Sequence, residues 1–137
     1  MSNNKIAIFS VDSGKKEELI DITGPVREVI SASGVSGGVC HVFIPHTTAG
    51  VTINENADPD VRLDIIKGLG TIVPENEDYR HCEGNSPAHI KASIMGSSIQ
   101  VMIEQARPLL GTWQGIYLCE FDGPRSRKVY VKIIRDQ

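Results

Sequence analysis

Gly115-Ile116-Tyr117-Leu118-Cys119-Glu120-Phe121, then Asp122-Gly123-Pro124, then Lys128-Val129-Tyr130-Val131-Lys132-Ile133-Ile134 is the stretch on which the fold turns. Both runs are rich in β-branched and aromatic residues, and turn-forming residues separate them. The pattern predicts two strands paired antiparallel, with Asp122-Gly123-Pro124 as hairpin punctuation. Working outward, Ser98 to Ile103 is another strand, Ile6 to Val11 a first one, and Gly38 to Ile44 one buried on both faces. Val51 to Asn54 follows a short polar break and is expected to pair with its predecessor.

Helices alternate with these strands. Thr23-Gly24-Pro25 places a capping hydroxyl before a first-turn proline; Val26, Val29 and Ile30 form one apolar face, and Gly34 stops the helix. Asp58-Pro59-Asp60 opens a second helix, with Val61, Ile65, Leu69 and Ile72 along one side and Pro74 at its end. Ser86-Pro87 caps a third, which runs to Met95 and Gly96. Three helices among antiparallel strands make an α+β domain, one unit over 1–137, with a mixed, largely antiparallel sheet.

Composition narrows the function. A net charge of −3 shows no basic excess, which argues against nucleic acid as a partner. No apolar run approaches a membrane span, and the first residues lack the pattern of a signal peptide. Cys40, Cys82 and Cys119 have no CxxC spacing and leave an odd one over, as expected in a reducing, cytoplasmic setting rather than a disulfide framework.

Three of the four histidines fall in two polar runs, His46-Thr47-Thr48-Ala49-Gly50 and His81-Cys82-Glu83-Gly84-Asn85-Ser86-Pro87-Ala88-His89-Ile90-Lys91. Histidine titrates and binds metals near neutral pH. His46, His81 and His89 are therefore candidate ligands for a divalent metal, zinc or magnesium, in an open three-ligand site; local hydrogen bonding is the plainer alternative. With Ser86 as cap, His89 lies in the first helical turn, where the helix dipole disfavours its charged form. Glu83, two residues after His81, projects to the same side of an extended backbone and is a candidate general base, or else a solvated loop carboxylate. Asn54 and Glu55, ahead of the Asp58 cap, lack an equally simple structural role.

Arg125, Arg127 and Lys91, with the segment around Asn85, can form a phosphate cradle or lie as ordinary surface. Trp113 belongs either to the core or to a pocket wall. His41 alternates with Val39 and Phe43, as a core or interface residue does.

His46-Thr47-Thr48-Ala49, Asn54-Glu55-Asn56-Ala57-Asp58, His81-Cys82-Glu83-Gly84-Asn85, Ala88-His89-Ile90-Lys91, Gly111-Thr112-Trp113-Gln114-Gly115 and the tail from Cys119 to Arg125 are spaced as in the YjbQ family, also called UPF0047. The resemblance spans about residues 5 to 135. It implies a compact α+β domain assembling as a homotrimer, with the polar motifs gathered in one cleft. It further implies a weak thiamine-phosphate synthase activity, joining a pyrimidine methyl diphosphate to a thiazole phosphate with release of pyrophosphate. The expected partner is thus a phosphorylated small molecule. A metal-dependent hydrolase and a non-catalytic metal- or small-molecule-binding trimer are the alternatives.

Overall fold

A computed structural model describes residues 5–81 and 83–137; Cys82 lies outside them. The strands are β1 (Ala7–Asp12), β2 (Glu18–Asp21), β3 (Gly38–Phe43), β4 (Ala49–Glu55), β5 (Ser98–Glu104), β6 (Arg107–Pro108), β7 (Gln114–Glu120) and β8 (Ser126–Arg135). The helices are α1 (Thr23–Ser33), α2 (Pro59–Ile72) and α3 (Ser86–Met95). This is the expected α+β class, but with two sheets: β1-β8-β3-β5-β6 and β2-β7-β4, every pairing antiparallel.

The hairpin expected at Asp122-Gly123-Pro124 is not one. β7 pairs with β2 and β4, while β8 pairs with β1 and β3. The cause is patterning: β7 is buried on both faces from Gly115 to Glu120, whereas β8 alternates. A strand apolar on both faces belongs in the middle of a stack, and one with a single apolar face at its outside. Likewise β4 does not join β3; the polar break around His46 carries the chain between sheets, and β3 sits between β5 and β8.

The three layers follow from residue parity. Ile116 and Leu118 of β7 and Val51 of β4 face Cys40, Val42, Val101, Val129 and Val131 of the larger sheet, with Ile22, Val26 and Ile30 of the α1 segment sealing this core. The alternate residues, Tyr117 and Cys119, face Leu69 of α2 and Ala88 and Ala92 of α3. β3 is accordingly buried on one face only; Val39 and His41 are half-buried on the other, and Phe43 is exposed.

The helix starts need two corrections. Ile22 rather than Thr23 occupies the first N-cap, and the Thr23 hydroxyl instead accepts the Ile116 amide at 2.9 Å, tying α1 to β7. Asn85 rather than Ser86 is the N-cap of α3. Asp58 does cap α2, accepting from the Asp60 amide at 2.9 Å, and Gly34 ends α1 at φ 71°. Ile72, expected on the apolar face of α2, is exposed in its last turn.

A Cβ at Gly38 would lie 2.1 Å from the Ile134 carbonyl oxygen. That oxygen belongs to β8, so relief requires parting the central strands. Gly38→Ala should lower the unfolding free energy by about 1–3 kcal/mol, read as a drop in denaturant midpoint; an unchanged midpoint would show that the strands yield freely.

Candidate functional site

The polar motifs fall into groups. The first surrounds the start of α3. His81 and His89 stand edge-to-face with ring centroids 5.3 Å apart, and Glu83 Oε2 lies 3.8 Å from His81 Nε2. A shallow pocket of about 380 Å³ opens here, lined by Tyr79, Arg80, His81, Ser86, His89 and Ile90. Helical spacing explains the divergence of His89 and Lys91, two positions apart: His89 turns to the pocket and Lys91 inward.

Lys91 is fully buried, with its Nζ 2.5 Å from Glu17 Oε2. It pins α3 to the segment before β2 and is not presented to a ligand.

The second group lies where the chain crosses between sheets. Glu120 continues the inward row Ile116–Leu118 and is 0% exposed; Arg127 begins the inward row of β8 and is 2% exposed. Arg127 Nε donates to Glu120 Oε1 at 2.9 Å, and its Nη2 binds Glu120 Oε2 and Thr48 Oγ1. Ser13 Oγ lies 2.7 Å from Glu120 Oε1 and accepts the Arg125 amide at 2.9 Å. Burial raises the affinity of Glu120 for a proton, but the hydrogen bonds from Arg127, Ser13 and the Asp122 amide outweigh it and hold its carboxyl below the ordinary 4.5.

His46 borders this group. Its Nε2 accepts the Lys128 amide at 2.8 Å, so the neutral ring carries its proton on Nδ1. Burial, and next the Arg127 charge, lower its pKa from 6.5.

Asp122 joins the two groups: its Oδ2 accepts from Asn85 Nδ2 at 3.0 Å and from Arg125 Nη2 at 3.1 Å. Asn85 Oδ1 is buried without a hydrogen-bond partner among the described residues.

The third group is elsewhere. Register pairs Ala49 with Glu120 at one end of β4 and Glu55 with Gln114 at the other, roughly 20 Å away at strand rise. Asn54 is exposed, its Oδ1 accepting the Glu55 amide at 2.7 Å. Trp113 is 63% exposed, neither in the core nor in the α3 pocket, and its carbonyl accepts the Asn56 amide at 2.9 Å. The single cleft implied by the resemblance is therefore not formed within one chain.

Nor is the three-histidine metal site. His46 is not brought to His81 and His89, its Nε2 lone pair is taken by a backbone amide, and no three His, Cys, Asp or Glu side chains converge to hold a metal among the described residues. Of the proposed cradle, Lys91 is committed to the half-buried Glu17 and Arg127 to the buried Glu120, and only Arg125 reaches the surface, bound to Asp122.

Sequence reasoning missed Glu120, Ser13 and Glu17 as partners. Glu120 did carry a signal: a lone acid in the apolar run Ile116–Phe121, seven residues before an arginine. Cys40 and Cys119 are core residues whose thiols burial pushes up to about 11 and about 12, far from a reactive thiolate.

Residues 7–136 match the family model described as UPF0047 protein YjbQ-like. The chain belongs to the YjbQ family. A UPF0047 protein of Methanocaldococcus jannaschii is 53% identical over 129 residues, 94% of each chain. UPF0047 protein YugU of Bacillus subtilis is 49% identical over 127 residues, 92% of this chain and 96% of that protein. Among solved structures, a YjbQ/UPF0047 protein of Clostridium acetobutylicum superposes with a TM-score of 0.92 at 58% identity, covering 93% of this chain and 99% of that one. A protein of unknown function from Sulfolobus solfataricus, described as YbjQ-like, keeps a TM-score of 0.93 at 28% identity, covering 98% and 99%. The two-sheet fold is thus that of YjbQ-like proteins.

Two consequences of the crossing are measurable. Arg127→Ala strands the Glu120 carboxylate in the core and should cost about 3–5 kcal/mol in chemical denaturation; a loss below 1 kcal/mol would mean that water reaches Glu120. The lowered His46 value means that the unfolded chain takes up its proton first. Its contribution is complete above 6.5 and declines as pH falls through the folded value. Glu120 adds a second decline, below 4.5. His46→Ala should flatten the stability profile between pH 7.5 and 5.5 and leave the acid limb intact.

Proposed function

We propose that this chain is an enzyme acting on phosphorylated small molecules, with its chemistry at the start of α3. One observation carries the reading: His81 and His89 pack edge-to-face in a pocket that also presents Arg80 and Ser86, with the Glu83 carboxylate 3.8 Å from His81. Two imidazoles and a carboxylate in contact can pass a proton to or from a bound substrate. The Arg80 guanidinium favours an anion beside them. The family resemblance supplies the named reaction, thiamine-phosphate synthase-like transfer. There the pyrimidine methylene carbon exchanges its bond to the diphosphate oxygen for one to the thiazole nitrogen, and pyrophosphate leaves with the bonding electrons.

The roles differ from those drawn from sequence. Glu83, His81 and His89 handle protons. Asn85 positions the loop through Asp122. Lys91 and Arg127 hold the fold. Asn54, Glu55 and Trp113 act at this pocket only if a second subunit brings them there, and a divalent metal enters only if another subunit completes its ligands.

Assembly as a homotrimer belongs to the same proposal, and the outer face of the larger sheet is where copies would meet. No helix covers it. Across it run Ile8–Tyr130–Phe43 and Ile134–Val39–Met102, with His41 and Lys132 between them. Met102 is 62% exposed. Sedimentation should give three times the 14.9 kDa chain mass, and Val39→Asp should dissociate it by burying a charge. A stable wild-type monomer would reject the assembly.

The activity test uses purified full chain with pyrimidine methyl diphosphate and thiazole phosphate. His81→Ala and His89→Ala should each lower kcat/KM by about a hundredfold or more without moving the melting temperature. Equal product from wild type and both variants would remove the site; no product from wild type would remove the transferase reading.

A further inference from the structure

A second cavity, larger than the α3 pocket and remote from it in the fold, lies between α1 and the inner face of the larger sheet at the β1–β8 edge. It has a volume of about 580 Å³, within the roughly 300–1,000 Å³ typical of small-molecule sites. Its floor is Phe9, Val131 and Ile133, from inward rows of adjacent strands; its roof is Glu28, Val29 and Ala32, one face of α1.

The helix turns Val26 and Ile30 away from this cavity and leaves Val29 and Ala32 facing it. Val26 and Ile30 are buried in the inter-sheet core, so the face turned to the β1–β8 edge carries the small Ala32 and leaves space rather than filling it. Charge is confined to the rim: Lys5 and Arg135 line it against a single carboxylate, Glu28. Arg135 prolongs the inward row Val131–Ile133, so its guanidinium stands at the end of the apolar floor. No hydrogen bond or ion pair holds that guanidinium among the described residues.

We infer that this cavity binds a small amphipathic carboxylate, its hydrocarbon body lying along Phe9, Val29 and Val131 and its carboxylate paired with Arg135. An apolar chamber selects the body by water exclusion, and an arginine fork matches a carboxylate in bidentate fashion. Arg135, standing at the end of the apolar floor, selects an acid over an amine of the same length. The site is independent of the α3 pocket and shares no residue with it.

Isothermal titration of the full chain with decanoate, and with decylammonium as the charge control, tests this. Decanoate should bind saturably, one per chain and in the sub-millimolar range, while decylammonium does not. Arg135→Gln, an exposed change that leaves the core alone, should weaken decanoate at least about tenfold. Ala32→Trp should fill the space and abolish binding while the circular dichroism spectrum is retained. Absence of saturable decanoate binding, equal affinity for the amine, or an Arg135→Gln variant indistinguishable from wild type would each overturn the assignment. So would a fall in oligomer mass on Ala32→Trp with no decanoate binding to wild type, which would make the cavity a contact between copies.

Discussion

The ion pair between Glu120 and Arg127 occupies the point where the polypeptide leaves one sheet and enters the other. Two stacked sheets joined by five residues need that crossing placed accurately, because a shift of one residue in either strand would reverse every inward side chain. The pair supplies the placement. Each partner ends an inward row, so it can form only when β7 and β8 both hold their native register. Its contribution to stability is another matter: burying two charges costs nearly what their attraction returns, and a hydrophobic pair of equal volume would often serve as well. What apolar contact lacks is direction. Arg127 also reaches the hydroxyl of Thr48, and Glu120 that of Ser13, so the two other loops entering this end of the stack are fixed by the same hydrogen bonds.

From this point order passes to the candidate site. The Asp122 amide binds Glu120, its side chain holds Asn85, and Asn85 is the residue from which α3 begins. The pocket histidines therefore stand at the end of a chain of hydrogen bonds anchored in the core. This also explains why so many charged side chains in the polar motifs are unavailable to a ligand: Lys91, Arg127 and Glu120 are the anchors. Motifs rich in charge need not be rich in chemistry. Here they are divided between groups that hold the loops and groups, His81, Glu83 and His89, that the held loops present.

Much of the architecture was legible because it is local. The Asp58 cap, the Gly34 stop, the alternation of β8 and the apolar faces of α1 and α2 depend on neighbours a few residues away, and sequence spacing reports them. Pairing across the molecule is different. Gly115 to Phe121 and Lys128 to Ile134 read as a hairpin because they are adjacent in sequence, yet the two-sided burial of the first strand, visible in its composition, demands a place between layers. The four-residue β2 and two-residue β6 escaped because each is shorter than any periodic pattern requires, and only register with β7 and β5 defines them. At the site, the nearness of His81, Glu83 and His89 follows from one short loop and one helical turn. Separating Trp113 and Glu55 from them needed the direction of β4, which no motif contains.

The placement of the helices decides what surface is left for function. α2 and α3 both cover the outer face of the smaller sheet, and α1 closes one flank of the inter-sheet core. Among the described residues, that leaves the outer face of the larger sheet without any helix above it. A solvated sheet face ordinarily alternates polar residues outward. Here Ile8, Phe43, Val39, Ile134 and Met102 point outward instead, with the polar row Lys132, His41 and Gln100 between them and the polar row Ser10–Lys128 beyond. Rows of this kind cost solubility in an isolated chain. They are consistent with the core of an interface, where apolar rows are excluded from water and a central polar row sets the register of the partner. The same economy of helices produces the cavity beside α1. A helix that must seal the gap between two sheets with Val26 and Ile30 cannot also pack tightly on the β1–β8 edge, so space remains where its adjacent face carries alanine.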